Sequence, residues 1–391
     1  MTKKEETKHA EEKAMHIEEE TKRTEKKTMR TEEKAMHIKE ETMRAKKETM
    51  HAKKETMHAA VLHAVGDLRY EAVPMPEPKE GEVLLEIAAA GICGSDLPRV
   101  LTKGTYHFPT IPGHEFSGVI REAKNPALIG RHAAVFPLLP CRKCPACQVG
   151  EFANCEHYDY YGSRRDGGFA EYLAVDERNL ILLDDSIPLD VASLMEPSAV
   201  ARAAVRRMQI TLGDKVVIFG AGPIGLIAAG FAKMSGASEV RVVDISEKKL
   251  DFARRLGFPA YDRERDGLFD VALEGTGAGA ALTNAILSLK THGRIVLMGN
   301  PFGDMTVPAG AYSQILRREL TLCGTWNSSY NDRINDWRAV AEVMAKGQLP
   351  FAELITHRYP LSRVNDAFSM MSGKKEFYTK VTLICNEELL K

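Results

Sequence analysis

Lys215-Val216-Val217-Ile218-Phe219-Gly220-Ala221-Gly222-Pro223-Ile224-Gly225 decides the fold of one half of this chain. After the opening lysine, the first residues are β-branched or aromatic, the composition of a strand buried on both faces of a parallel sheet. They run into a GxGxxG turn, and residues 226–234 continue as a helix. The first glycine permits the tight turn, the second lets the backbone approach a pyrophosphate, and the third lets helix and strand pack closely. An anion then sits at the helix N-terminus, where unpaired N–H groups and the helix dipole favour it. Pro223 and Ile224 lie between the second and third glycines, at the start of that helix. A second strand, residues 239–243, ends in Asp244 at the distance that a dinucleotide fingerprint requires. An acid there accepts from ribose hydroxyls and repels a 2′-phosphate, so Asp244 predicts NAD rather than NADP. Gly299 closes a later strand, 294–298, and is expected near the nicotinamide.

From about 212 to 325 strands alternate with helices, the signature of a doubly wound parallel sheet. Residues 58–205 read instead as β-rich, with frequent Gly/Pro punctuation. Residues 81–87 are expected to alternate as a half-buried strand. The last segment predicts a helix over 335–346, a strand, a helix near 363–371 and a final strand over 380–384, a unit placed to rejoin the first domain.

Ahead of all this, residues 1–57 are charged and repetitive. Ala45-Lys46-Lys47-Glu48-Thr49-Met50-His51 recurs unchanged at 52–58, and Met15, Met29, Met36, Met43, Met50 and Met57 share one heptad phase. A coiled coil needs apolar residues at both a and d positions, and only the Met position is dependable here. The segment reads as a solvated helix or a disordered tail, with a working start expected at Met57. Across its 391 residues the chain is 44% hydrophobic with a net charge of −1, which suits a globular protein and gives no footprint for nucleic acid. No apolar run reaches the ~20 residues of a membrane span, and the N-terminus has no apolar signal core. A cytoplasmic protein is the expectation.

Four of the seven cysteines crowd together as Cys141-x2-Cys144-x2-Cys147-x7-Cys155. Short gaps let neighbouring sulfurs converge on one ion, and the longer return brings the fourth corner of a tetrahedron. Four thiolates close the coordination sphere, so such a zinc is structural. An iron–sulfur cluster of the bacterial ferredoxin type spaces its last cysteine by three and follows it with proline; here the gap is seven and Glu156 follows. Elsewhere Cys93, His114, Glu115 and Glu196 supply a thiolate, an imidazole and two carboxylates, a set that binds zinc while leaving a position open. A Lewis acid at an open position lowers the pKa of an alcohol hydroxyl, and a nicotinamide takes up the hydride.

Cys-Gly-Ser-Asp at 93–96, Gly-His-Glu at 113–115, the cysteine lobe, Glu196-Pro197 and the GxGxxG together resemble the zinc-containing medium-chain alcohol/polyol dehydrogenase family over essentially all of 58–391. Cys93–Arg99, 137–141, 162–172 and 315–320 are similar to its galactitol-1-phosphate 5-dehydrogenase branch. The resemblance implies an α/β protein: a GroES-like β-rich catalytic domain over 58–205, completed by 330–391, and a Rossmann domain over 206–329. It implies two zincs per chain, NAD, a small-molecule polyol or polyol phosphate as partner, and a homodimer or homotetramer. Cys93, His114, Glu115 and Glu196 carry over as the catalytic zinc shell, Ser95 as the relay hydroxyl and Asp96 as an orienting group. Sorbitol dehydrogenases commonly have a histidine where this chain has Pro98, so a relay through that imidazole is missing. Arg99, Lys103, Arg164 and Arg165 flank the site and suit a phosphate; Trp326 and Asn327 are candidates for the pocket wall. Rival readings are sorbitol, xylitol or L-threonine oxidation by the same chemistry, or a non-catalytic NAD(H)-binding protein.

Overall fold

Two sheets of different character organise the computed structural model, which describes residues 55–373 and 376–391. The readings of the repeat over residues 1–54 lie outside the described residues. Lys215–Phe219 pairs in parallel with Glu239–Val243 on one side and Phe269–Glu274 on the other, and Leu289–Leu297 and Thr321–Gly324 extend the sheet in the same sense. Beyond Glu239–Val243, Ala260 adds a single parallel bridge to Val242. The strand order thus reverses between Lys215–Phe219 and Phe269–Glu274, which opens a crevice at their carboxyl ends. The turn into that crevice needs its glycines: Gly220 has a φ of 109°, and a Cβ on Gly225 would run into the Gly220 carbonyl oxygen. Gly222 caps the helix Pro223–Met234, with Pro223 in its first turn where a missing N–H costs nothing.

The second sheet is built around Glu82–Ile92. Along one edge it pairs with Glu115–Glu122; on the other, Tyr172–Asp176 takes residues 82–86 and Lys380–Ile384 takes residues 89–92, all antiparallel. The C-terminal segment therefore does return to the first sheet. The half-buried alternation expected for 81–87 is not what forms: every residue from Val83 to Ile92 is buried. The reason is that the strand has apolar packing on both faces, Val83, Leu85 and Ile87 toward one core and Ala88 toward another. Thr56–Ala64 is the first described strand, so Thr56 and Met57, expected in the tail, belong to the fold, and Met57 is buried.

The core holding Ala88 also holds Ala199, Ala204 and Val205 from the helix Met195–Met208, Val216 and Ile218 from the parallel sheet, and Trp337 from Asp336–Ala345. A boundary at 205/206 falls inside that helix, which packs on Pro223–Met234 and bridges the two sheets. Met57–Lys391 forms one compact unit. Among the described residues no helix is long and apolar enough to cross a membrane.

Candidate active site and metal centres

Strand register assembles the first centre. Gly91 lies opposite Glu115, and Ile92 lies opposite Val381 on the other flank. Three strand ends therefore meet, bringing Cys93, His114, Glu115 and Lys380 together although they are far apart in the chain. Sγ of Cys93, a ring nitrogen of His114 and a carboxylate oxygen of Glu115 lie within 4.8 Å of one another. Glu196, in the first turn of Met195–Met208, is buried beside them but outside that tight set. The hydroxyl of Tyr160 donates to its Oε1 at 3.5 Å.

The imidazole is oriented from behind. Asp96, wholly buried, accepts from the Cys93 backbone N–H at 3.0 Å, and its Oδ1 lies 3.4 Å from His114 Nδ1, which turns Nε2 toward the thiolate. Arg99 Nη1 donates to Asp96 Oδ1 at 3.1 Å and to Ser95 Oγ at 3.2 Å. Burial alone would raise the Asp96 carboxyl, but the His114 and Arg99 charges outweigh it and hold it low. Burial pushes Glu196 up to about 7, with the Glu115 charge adding and His114 opposing. Lys380 forms an ion pair with Glu115, and both are almost completely buried. A soft thiolate, an imidazole presenting Nε2 and a carboxylate converging in a buried pocket fit zinc with a position to spare.

The cysteine lobe fits a closed site. Cys141 and Cys147 sulfurs are 4.0 Å apart and those of Cys144 and Cys155 3.9 Å. These are too long for disulfides and close to the edge of about 3.8 Å that zinc–sulfur bonds of about 2.3 Å impose on a tetrahedron. Backbone N–H groups of Lys143 and Cys144 pull the Cys141 thiol down to about 6, while burial and the neighbouring thiols push Cys147 up to about 12. A dication at the centre relieves that conflict by holding all four as thiolates.

Gly220, Gly222, Pro223, Ile224, Gly225 and Asp244 line one cavity of about 700 Å³. Asp244 accepts from the Ala221 and Ser246 backbone N–H groups, and Lys249 lies 3.7 Å from it. Ile224 also lines a second cavity of about 420 Å³ that reaches Cys93, His114, Glu196 and Gly299. Ser95, Trp326 and Asn327 line it too. Arg99 and Arg164 are in its wall, and the Arg164 guanidinium lies 4.0 Å from the Tyr106 ring centre and 4.6 Å from that of Tyr158. Its Nε is buried with no hydrogen-bond partner. Arg165 does not join: it pairs with Asp159 at 3.0 Å, because neighbours on this turn point to opposite sides. Lys103, at the exposed end of Arg99–Lys103, is also outside the cavity.

Lys380, Tyr158 and Tyr160 were not singled out by the sequence. A lysine opening the otherwise uncharged, β-branched-rich run Lys380-Val381-Thr382-Leu383-Ile384 was a signal for the first. The aromatic run Tyr158-Asp159-Tyr160-Tyr161, just upstream of the turn that carries Arg164, was a signal for the others.

Residues 79–185 match the model of the alcohol dehydrogenase GroES-like domain, and residues 223–346 match that of zinc-binding dehydrogenase. The chain belongs to the zinc-dependent medium-chain polyol dehydrogenase family. This dehydrogenase is 34% identical over 312 residues to galactitol 1-phosphate 5-dehydrogenase of Escherichia coli K12, covering 75% of this chain and 90% of that protein. The crystal structure of the E. coli galactitol-1-phosphate dehydrogenase superposes with a TM-score of 0.79 at 32% identity, covering 84% of this chain and 100% of that one. Sorbitol dehydrogenase of Bombyx mori is 31% identical over 337 residues, 80% of this chain and 94% of its own. An alcohol dehydrogenase of E. coli CFT073, solved in complex with NADH, superposes with a TM-score of 0.77 at 27% identity, covering 84% and 99% of the two chains.

Proposed function

We propose that this dehydrogenase oxidises a secondary alcohol of a polyol phosphate, galactitol 1-phosphate to a ketohexose phosphate, with NAD as hydride acceptor. The observation that carries this reading is a single cavity lined by Cys93 and His114 of the metal set, by Glu196 and by Arg164. Zinc bound there would supply Lewis acidity to the alcohol and bound NAD would take up the hydride, giving ketone, NADH and one proton overall. The chain's own residues bind and orient. Cys93, His114 and Glu115 would hold the metal with Glu196 alongside; Asp96 fixes the imidazole; the Ser95 hydroxyl takes up the alcohol proton as it passes its own to water. Gly220, Gly222, Pro223, Ile224 and Gly225 cradle the pyrophosphate, Asp244 takes the adenosine ribose, and Gly299 leaves room for the nicotinamide. Cys141, Cys144, Cys147 and Cys155 hold the second, structural zinc.

A phosphate needs donors that do not titrate, and Arg164 offers a guanidinium already fixed by two aromatic rings, with an unsatisfied Nε. Arg99 lines the same cavity, with its guanidinium already paired to Asp96. The division into a catalytic domain, 58–205 with 330–391, and a Rossmann domain, 206–329, belongs to this proposal, as do a cytoplasmic location and a homodimer or homotetramer. The second reading, oxidation of a free polyol, is favoured by the 31% identity to a sorbitol dehydrogenase. Turnover with NAD on galactitol 1-phosphate, galactitol, sorbitol and L-threonine separates the two. A kcat/KM for the phosphorylated polyol no higher than for the free ones would reject the phosphate reading and leave the polyol chemistry standing.

A further inference from the structure

Glu196 stands beside the metal set but outside it, and something must decide which way its carboxylate turns. Among the described residues its one hydrogen bond is to the Tyr160 hydroxyl, at 3.5 Å. That phenol is held from several sides. Its ring tilts against His114 with centres 5.8 Å apart and meets the Tyr158 ring edge-on at 6.3 Å. Tyr160 pairs with Leu138 in a short ladder, and its carbonyl accepts from the Arg164 and Arg165 backbone N–H groups at 3.0 and 3.2 Å. The hydroxyl is thus held by a ring packed between His114 and Tyr158 on a hydrogen-bonded backbone, while the carboxylate it meets ends a flexible side chain. A bond at the long end of the hydrogen-bond range is weak, but it need only choose between two positions of one carboxylate.

We propose that Tyr160 is a positioning residue: its hydroxyl donates to Glu196 and holds that carboxylate away from the Cys93–His114–Glu115 set, which keeps the remaining side of the metal site open to the substrate hydroxyl. This rests on the reading of that set as a metal site. A carboxylate released from Tyr160 would turn onto the metal and compete with substrate. Competition of that kind raises KM and leaves kcat at saturation little changed.

The test uses the full-length protein with cobalt(II) in place of zinc. Tyr160→Phe is expected to shift the visible cobalt bands of the catalytic site and to slow removal of that cobalt by dipicolinate roughly tenfold, the size of effect that groups behind metal ligands commonly have. KM for the polyol should rise while kcat holds. Adding Glu196→Gln to Tyr160→Phe should return the spectrum toward that of the parent. In the parent background, Glu196→Gln alone should leave the cobalt bands in place. Unchanged bands and removal rate in Tyr160→Phe overturn the proposal. So does a band shift in Glu196→Gln alone, which reads out without relying on the tyrosine variant. If the parent takes up only one cobalt per chain, the metal-site reading itself falls, and this proposal falls with it.

Discussion

Lys380 and Glu115 are each close to fully buried, and neither charge is tolerable there without the other. Removing one partner of such a pair leaves an uncompensated charge, at a cost of about 3–5 kcal/mol. Lys380→Ala is therefore expected to lower unfolding free energy by that order in a urea titration of the metal-free protein; a change under about 1 kcal/mol would show that water already reaches the pair. Two neighbouring arginines should behave in opposite ways. Arg164→Ala should raise KM for the phosphorylated polyol by at least about tenfold, as loss of a charge-assisted contact does, and barely alter KM for the free polyol. Arg165→Ala removes a half-exposed pair with Asp159, a contact worth little, and should leave both values within about twofold. Equal losses on both substrates in Arg164→Ala would remove the argument for a phosphate.

At the scale of elements, three strands were legible because they are short runs rich in β-branched residues. Lys215–Phe219, Glu239–Val243 and Lys380–Ile384 form over the residues their sequences indicate. Glu82–Ile92 was legible as a strand but not in its burial, since periodicity on one strand cannot reveal how many layers will cover it. The ligand types of the metal set could be read, but not their register. That Gly91 meets Glu115 while Ile92 meets Val381 depends on pairings between distant segments, and for that reason Lys380 and the Tyr160–Glu196 contact escaped notice. A similar long-range tie fixes Arg263–Asp266, the short helical turn that joins the sheet through Asp266. Burial opposes ionisation of Asp266, yet bonds from Arg265, the Asp262 backbone N–H and Arg241 outweigh it and hold the carboxyl far below its usual value. A carboxyl depressed in the folded state adds stability that is fully present above its unfolded pKa of about 3.9 and is lost as pH falls through the folded value. Asp266→Asn should therefore destabilise the protein at pH 7 and flatten the fall in Tm between about pH 4 and 2. An acid limb as steep as the parent's would show that other carboxyls carry it.

The whole molecule separates what the chemistry uses from what it does not. The compact unit runs from Met57 to Lys391 and contains every residue proposed for metal, cofactor and substrate. A chain starting at Met57 keeps the buried Met57 and the Ala60 N–H to Phe169 carbonyl bond of 2.8 Å. It should fold and turn over within about twofold of the full chain, since truncation tolerance follows burial and hydrogen bonding of the backbone affected. A large loss of kcat in that truncated form would assign the repeat a part in the reaction. Metal analysis should find two zincs per chain in the parent and one in Cys155→Ser, with catalysis reduced through stability rather than chemistry.

Behind His114 the backbone itself leaves almost no room. The Gly113 carbonyl accepts from the Gly168 N–H at 2.8 Å, and a Cβ on Gly162 or Gly167 would collide with the Gly113 peptide. The loop that presents His114 and the turn that presents Arg164 are thus a single piece of interlocked main chain. Insertions or enlarged residues in that turn would displace the imidazole along with the guanidinium. A lineage of this protein can therefore drift toward new substrates more readily from outside that turn, through Trp326 and Asn327. Directed libraries seeking altered substrate range belong at those two positions, where side chains open to solvent can change without moving the metal.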